Sequence, residues 1–121
     1  MKIFMAIFLT TPGSVERSGW NKLGDKERQA RVKKGADALM AWAATHREAI
    51  VVPGAELGKS TRIAADGVKQ VANPVSGFVI VRAESHEAAV SMFANHPHFT
   101  IFPGDSVEIM QCMPPPGQAP R

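Results

Sequence analysis

Residues 2 to 10 (KIFMAIFLT) are apolar at almost every position and stop at Thr11-Pro12-Gly13-Ser14, residue types that favour turns. The run predicts a strand with two apolar faces, Ile3, Met5, Ile7 and Leu9 on one and Phe4, Ala6 and Phe8 on the other. Residues 14 to 24, with Gly19 and Gly24 flanking Trp20, read as a loop that carries one aromatic anchor. Asp25 suits an N-cap, and Val32, Ala36, Leu39, Met40 and Ala43 then recur at helical spacing without a proline. A first helix is expected from about Lys26 to about Arg47, its alanine-rich stripe turned to a sheet.

Ile50 to Val52 start a second strand, broken by Pro53-Gly54. Ser60 to Ala65 and Val68 to Val71 flank Asp66-Gly67, a dipeptide that fits the tight turn of a hairpin. Phe78 to Ala83 is the clearest strand, again apolar on both faces, with Phe78 and Ile80 opposed to Val79 and Val81. Ser85 caps a second helix expected from His86 to about Asn95, where Pro97 should end it, and Ser106 to Cys112 is the last strand. The expected order is an α+β, ferredoxin-like βαββαβ antiparallel sheet with two helices on one face and an extended middle. Residues 1–113 would form a single domain and residues 114–121 a proline-rich tail.

Two helices cover one face of such a sheet, and a wet second face should be polar. Here the second face is apolar, which predicts a homodimer with sheets face to face.

Composition narrows the function. Among 121 residues 45% are hydrophobic and 21% charged, the balance of a globular protein. Six of fourteen basic residues fall between Lys22 and Lys34, but Asp25 and Glu27 are interleaved and no stacking aromatics alternate with them, so the stretch reads as a solvated helix face and not a nucleic-acid site. Nothing approaches the ~20 apolar residues of a membrane span. The N-terminal run lacks a cleavage pattern and reads as a strand, so no secretory leader is expected. Cys112 is the single cysteine, which excludes an intrachain disulfide and a thiolate zinc site, suits the cytoplasm, and leaves an inert buried thiol. No nucleophile elbow is present, and Gly54 to Ser60 lacks the spacing of a phosphate loop.

The candidate chemistry centres on Asn95-His96-Pro97-His98-Phe99. Two histidines held by a proline can face one cavity and act as acid and base near neutral pH; they can equally be a helix-end and a loop histidine. Phe99 and Phe102 would wall a pocket, with Trp20 as a further aromatic contact. His86, in the first turn of the second helix, is a second acid–base candidate, and His46 a partner of the helix dipole. Asp66 could orient a histidine, and Lys59 or Arg62 could hold an anionic substrate. No metal-ligand spacing ties the histidines to a carboxylate, so neither metal nor cofactor is expected.

Ala83-Glu84-Ser85-His86-Glu87-Ala88-Ala89, Gly104-Asp105-Ser106-Val107-Glu108-Ile109 and Asp66-Gly67 resemble the YCII-related family, also called DGPF proteins. The resemblance implies a dimeric α+β barrel with a pocket between sheet and helices, and an Asp–His acid–base pair. Asp66 matches that aspartate; Val68-Lys69 follow its Asp-Gly where the family has Pro-Phe. The first helix lacks the family's early histidine, so His86, His96 or His98 would supply it. Two readings follow: a cofactor-independent isomerase or lyase on a small cyclic or aromatic acid, or a non-catalytic module for ligand binding, dimerisation or regulation.

Overall fold

The computed structural model describes residues 1–118. Four strands, β1 (Lys2–Leu9), β2 (Ile50–Glu56), β5 (Val75–Ala83) and β6 (Ser106–Gln111), form one antiparallel sheet in the order β2-β5-β1-β6. This is the expected ferredoxin-like order. Between β2 and β5, the strands β3 (Ser60–Ala64) and β4 (Gly67–Val71) make a separate hairpin around the predicted Asp66-Gly67 turn.

The alternation in β1 is expressed as read. Phe4 and Ala6 are buried, opposite Val81 and Val79 of β5, and Phe8 packs at the edge of the same core. Ala89 and Phe93 close over this face with Trp42, so both long-range helices lie on one side. Burying a side chain the size of Phe4 or Val81 contributes about 1.5–3 kcal/mol. On the other side Val52, Ile80, Met5 and Met110 line up across all four strands, Val52 and Met110 exposed and Met5 and Ile80 half-buried.

At the edge, β2 runs on past Pro53-Gly54 instead of stopping there. Its register shifts between Val52 and Ala55, where Gly54 takes φ 76°. A Cβ at Gly54 would overlap the Phe78 carbonyl, so the bulge needs glycine for room as well as for conformation.

Three local expectations are corrected. The predicted loop after β1 is a helix, α1 (Pro12–Ser18), followed by a 3₁₀ turn at Trp20–Lys22. Thr11 and Ser14 cap each other's backbone N–H, Pro12 occupies the first turn and Gly19 closes the C-terminus at φ 71°.

Helix α2 (Asp25–Thr45) begins one residue early, because Gly24 is its N-cap and the Glu27 carboxylate accepts from the Gly24 N–H. Its inward face is also rotated from the expected stripe: Val32 is 45% and Met40 72% exposed, with Ala36 and Ala43 outside. Gly35 and Trp42, two turns apart, face inward instead. The Phe102 ring fills the space a side chain at 35 would need, and Trp42 brings the largest apolar surface of the helix to the core.

The second helix is shorter than expected. It ends as α3 (His86–Ser91), the chain turns through Asn95 at φ 57°, and Pro97 opens a further short helix, α4 (Pro97–Thr100), instead of terminating one. Of the expected tail, residues 119–121 lie outside the described part of the chain.

Candidate active site

The ends of β1, β2 and β5, Leu39 of α2 and the segment from His96 to Gly104 border an open cavity of about 500 Å³. Phe8, Phe78, Leu39 and Phe102 form apolar walls, and Thr10, Ser76, His96 and His98 supply polar groups. Ligand sites of small molecules commonly have this make-up, a mostly apolar cleft with a few convergent polar atoms. Glu56 is the one charged side chain in the lining, among the described residues.

His96 precedes α4 and is only 2% exposed. Its ring lies among those of Phe8, Trp42 and Phe93, at centroid distances of 5.1, 5.0 and 5.7 Å. Trp42 is itself fixed, donating from Nε1 to the Met92 carbonyl at 2.7 Å. The His96 Nδ1 accepts the backbone N–H of His98 at 3.0 Å, so the neutral ring carries its proton on Nε2. His96 is part of the cavity lining. Burial, then the neighbouring His98 and His46, lowers the His96 pKa to about 4. At pH 7 His96 is a neutral N–H donor.

His98 is held the opposite way round. Its Nε2 lies 2.7 Å from the Leu9 carbonyl and donates to it, leaving Nδ1 with the lone pair of the neutral ring. Burial lowers its pKa, while the Leu9 carbonyl, the Asp105 carboxylate and the Ser106 carbonyl oppose that shift by favouring the protonated form. Asp105 is anchored by Arg17 at 2.9 Å. Burial thus disfavours protonation of both rings, and His98 differs in having carbonyl and carboxylate partners that oppose the shift.

Other residues singled out in the sequence lie elsewhere. His86 is exposed, stacks 5.5 Å from Phe4 and places Nε2 at 2.9 Å from the Ile109 carbonyl, joining α3 to β6. Asp66 sits at the hairpin tip, 70% exposed and 3.6 Å from Arg62, and is not in the cavity lining. Among the described residues the expected pairing of Asp66 with a histidine is therefore not formed: its partner is Arg62, and the hairpin is a sheet of its own. Lys59 borders a shallow groove on that hairpin, so neither Lys59 nor Arg62 reaches the cavity. Phe99 faces a depression on the opposite side of α4 at 39% exposure. Trp20 packs beside Phe102, centroids 6.4 Å apart, behind the wall and not in it.

Thr10 and Ser76 were not legible as site residues. Their hydroxyls stand 2.9 Å apart, and Ser76 donates to the Phe8 carbonyl at 3.1 Å. They are 66 residues apart in sequence and meet only through β1–β5 pairing. Among the described residues no group of three or more His, Cys, Asp or Glu is placed to hold a metal ion, and no helix is long and apolar enough to cross a membrane.

No family model and no curated protein matches the chain. A solved structure that does is the 5-chloro-2-hydroxyhydroquinone dehydrochlorinase of Burkholderia phenoliruptrix, determined in complex with 2,5-dihydroxybenzoquinone. It is 21% identical, covers 89% of this chain and 90% of its own, and superposes with a TM-score of 0.52. The likeness is one of fold.

Proposed function

We propose that the protein is a YCII-related, cofactor-independent acid–base enzyme that moves a proton on a small cyclic or aromatic substrate, by isomerisation or elimination. One observation carries this reading: His96 and His98 line one cavity with opposite nitrogens committed to the protein, so that one offers an N–H and the other a lone pair. His98 Nδ1 would take a proton from a carbon next to a carbonyl. Negative charge developing on the carbonyl oxygen would be met by the His96 Nε2–H, and the proton would return to another carbon or a leaving group would depart. A positioned general acid or base contributes about 10²–10⁴ in rate. The dehydrochlorinase of the same fold is named for an elimination on a hydroxylated ring, a reaction of this class.

The test is hydrogen–deuterium exchange at carbon, followed by NMR, on a panel of small cyclic ketones and phenols. The protein should catalyse exchange on at least one of them, and the double substitution His96→Gln, His98→Gln should abolish it. Exchange that survives loss of both histidines refutes the assignment. The separation of Asp66 from the cavity favours a second reading, a ligand-binding module; it predicts binding with no exchange in the unsubstituted protein.

The proposed assembly is a homodimer closed over the row Val52, Ile80, Met5 and Met110, in a reducing compartment such as the cytoplasm that suits the lone Cys112. Sedimentation equilibrium should give twice the chain mass of 13.0 kDa. A monomer at micromolar concentration sinks the dimer.

A further inference from the structure

The hydrogen-bond inventory of the cavity restricts what it can hold. Ser76 has one hydroxyl hydrogen, and it goes to the Phe8 carbonyl. The 2.9 Å contact between the two hydroxyls is then made by the Thr10 hydrogen, given to Ser76. Both protons are used inside the protein, and the pair offers the cavity only acceptor lone pairs. Across the same space His96 offers the reverse, an N–H on Nε2 with its Nδ1 already committed.

Charge points the same way. Among the described residues the lining contains no lysine or arginine, and its one charged group is the Glu56 carboxylate. Lys59 and Arg62 are on the hairpin, the latter paired with Asp66. A carboxylate or phosphate entering this apolar cleft would lose hydration, meet no cation and approach Glu56, an arrangement that costs several kcal/mol unless compensated.

We infer that the ligand is an uncharged ring bearing a carbonyl oxygen, which accepts from His96 Nε2–H, and a hydroxyl group, which donates to the Thr10–Ser76 pair. This rests on the acid–base reading for the role of His96 and narrows its small cyclic or aromatic substrate to a neutral hydroxy-carbonyl ring. The bond from the His98 N–H fixes the donor on Nε2, because the tautomer with its proton on Nδ1 would lose it.

The test is isothermal titration calorimetry at pH 7 with 3- and 4-hydroxyacetophenone, their methyl ethers, and the corresponding hydroxybenzoates. One hydroxyacetophenone should bind at least tenfold more tightly than both its ether and its benzoate, about what a satisfied hydrogen bond to a buried polar group is worth. Thr10→Val should bring that hydroxyl preference below threefold and leave the ether's affinity where it was. A benzoate or ether that binds as tightly as the ketone overturns the inference, as does failure of all six to bind at millimolar concentration. These outcomes are read as binding without turnover. They are thus separate from the catalytic reading, which falls only if carbon exchange is absent or survives loss of both histidines.

Discussion

Replacing Gly104 with alanine is expected to cut carbon exchange by about 10²–10⁴, the loss of one positioned base, although position 104 carries no reactive group. The three nearest neighbours of a Cβ built there all belong to His98, namely Nε2, Cε1 and the backbone oxygen. The ring cannot simply swing aside, because Nε2 is bound to the Leu9 carbonyl at 2.7 Å and the Gly104 N–H itself donates to the His98 carbonyl at 2.9 Å. Relief requires the ring to leave Leu9, the loop to shift, or both. Overpacking of this kind costs about 1–3 kcal/mol in stability. The larger effect is on rate: a base displaced from its place forfeits about 10²–10⁴. Denaturant titration and deuterium exchange on the same sample separate the two losses. Full exchange by a folded Gly104→Ala protein would remove His98 from the mechanism.

The second large effect concerns acid. His96 has its pKa lowered from 6.5 to about 4 by burial first and by its histidine neighbours next. Between these values the unfolded chain binds a proton that the folded chain refuses, so stability rises with pH across the window. The contribution is fully present above pH 6.5 and lost as pH falls toward 4, at most about 3 kcal/mol at about 1.4 kcal/mol per unit. His98, lowered in the same direction, adds to the same slope. His96→Gln should flatten the stability profile between pH 6.5 and 4 relative to the unsubstituted protein, measured by urea denaturation at several pH values. Parallel profiles would mean that His96 is not held neutral by the fold.

Some of this structure could be read directly. Period-two alternation in Lys2–Leu9 and Val75–Ala83 assigns faces because a strand's geometry is local, and Asp66-Gly67 marks its hairpin for the same reason. Helix α2 was legible as a helix but not in orientation. An alanine-rich helix offers several weak stripes, and one tryptophan and one glycine decided between them through contacts with the core and Phe102. Helix α1 was missed because its cap is a Thr–Ser pair within a Pro-Gly stretch that also suits a turn.

The site divides in the same way. His96 and His98 are neighbours in sequence, so their shared cavity was foreseeable. The pairing of either with Asp66 was not a local matter, and that carboxylate stands on the hairpin beside Arg62. Thr10 and Ser76 carried no signal at all, since strand register alone joins them.

The position of β1 between β5 and β6 bears on how the chain folds. Lys2 finds Ala83 and Leu9 finds Ser106, so the first strand in the chain has no strand partner until most of the sequence is available. Such non-local pairing must be reached against loop-closure entropy, which slows folding. Meanwhile Ile3 to Leu9, a segment without charge, proline or glycine, presents two apolar faces and two open edges, the composition from which cross-β assemblies are built. The central strand that organises the finished sheet is thus also the segment through which a half-folded chain is most exposed to self-association.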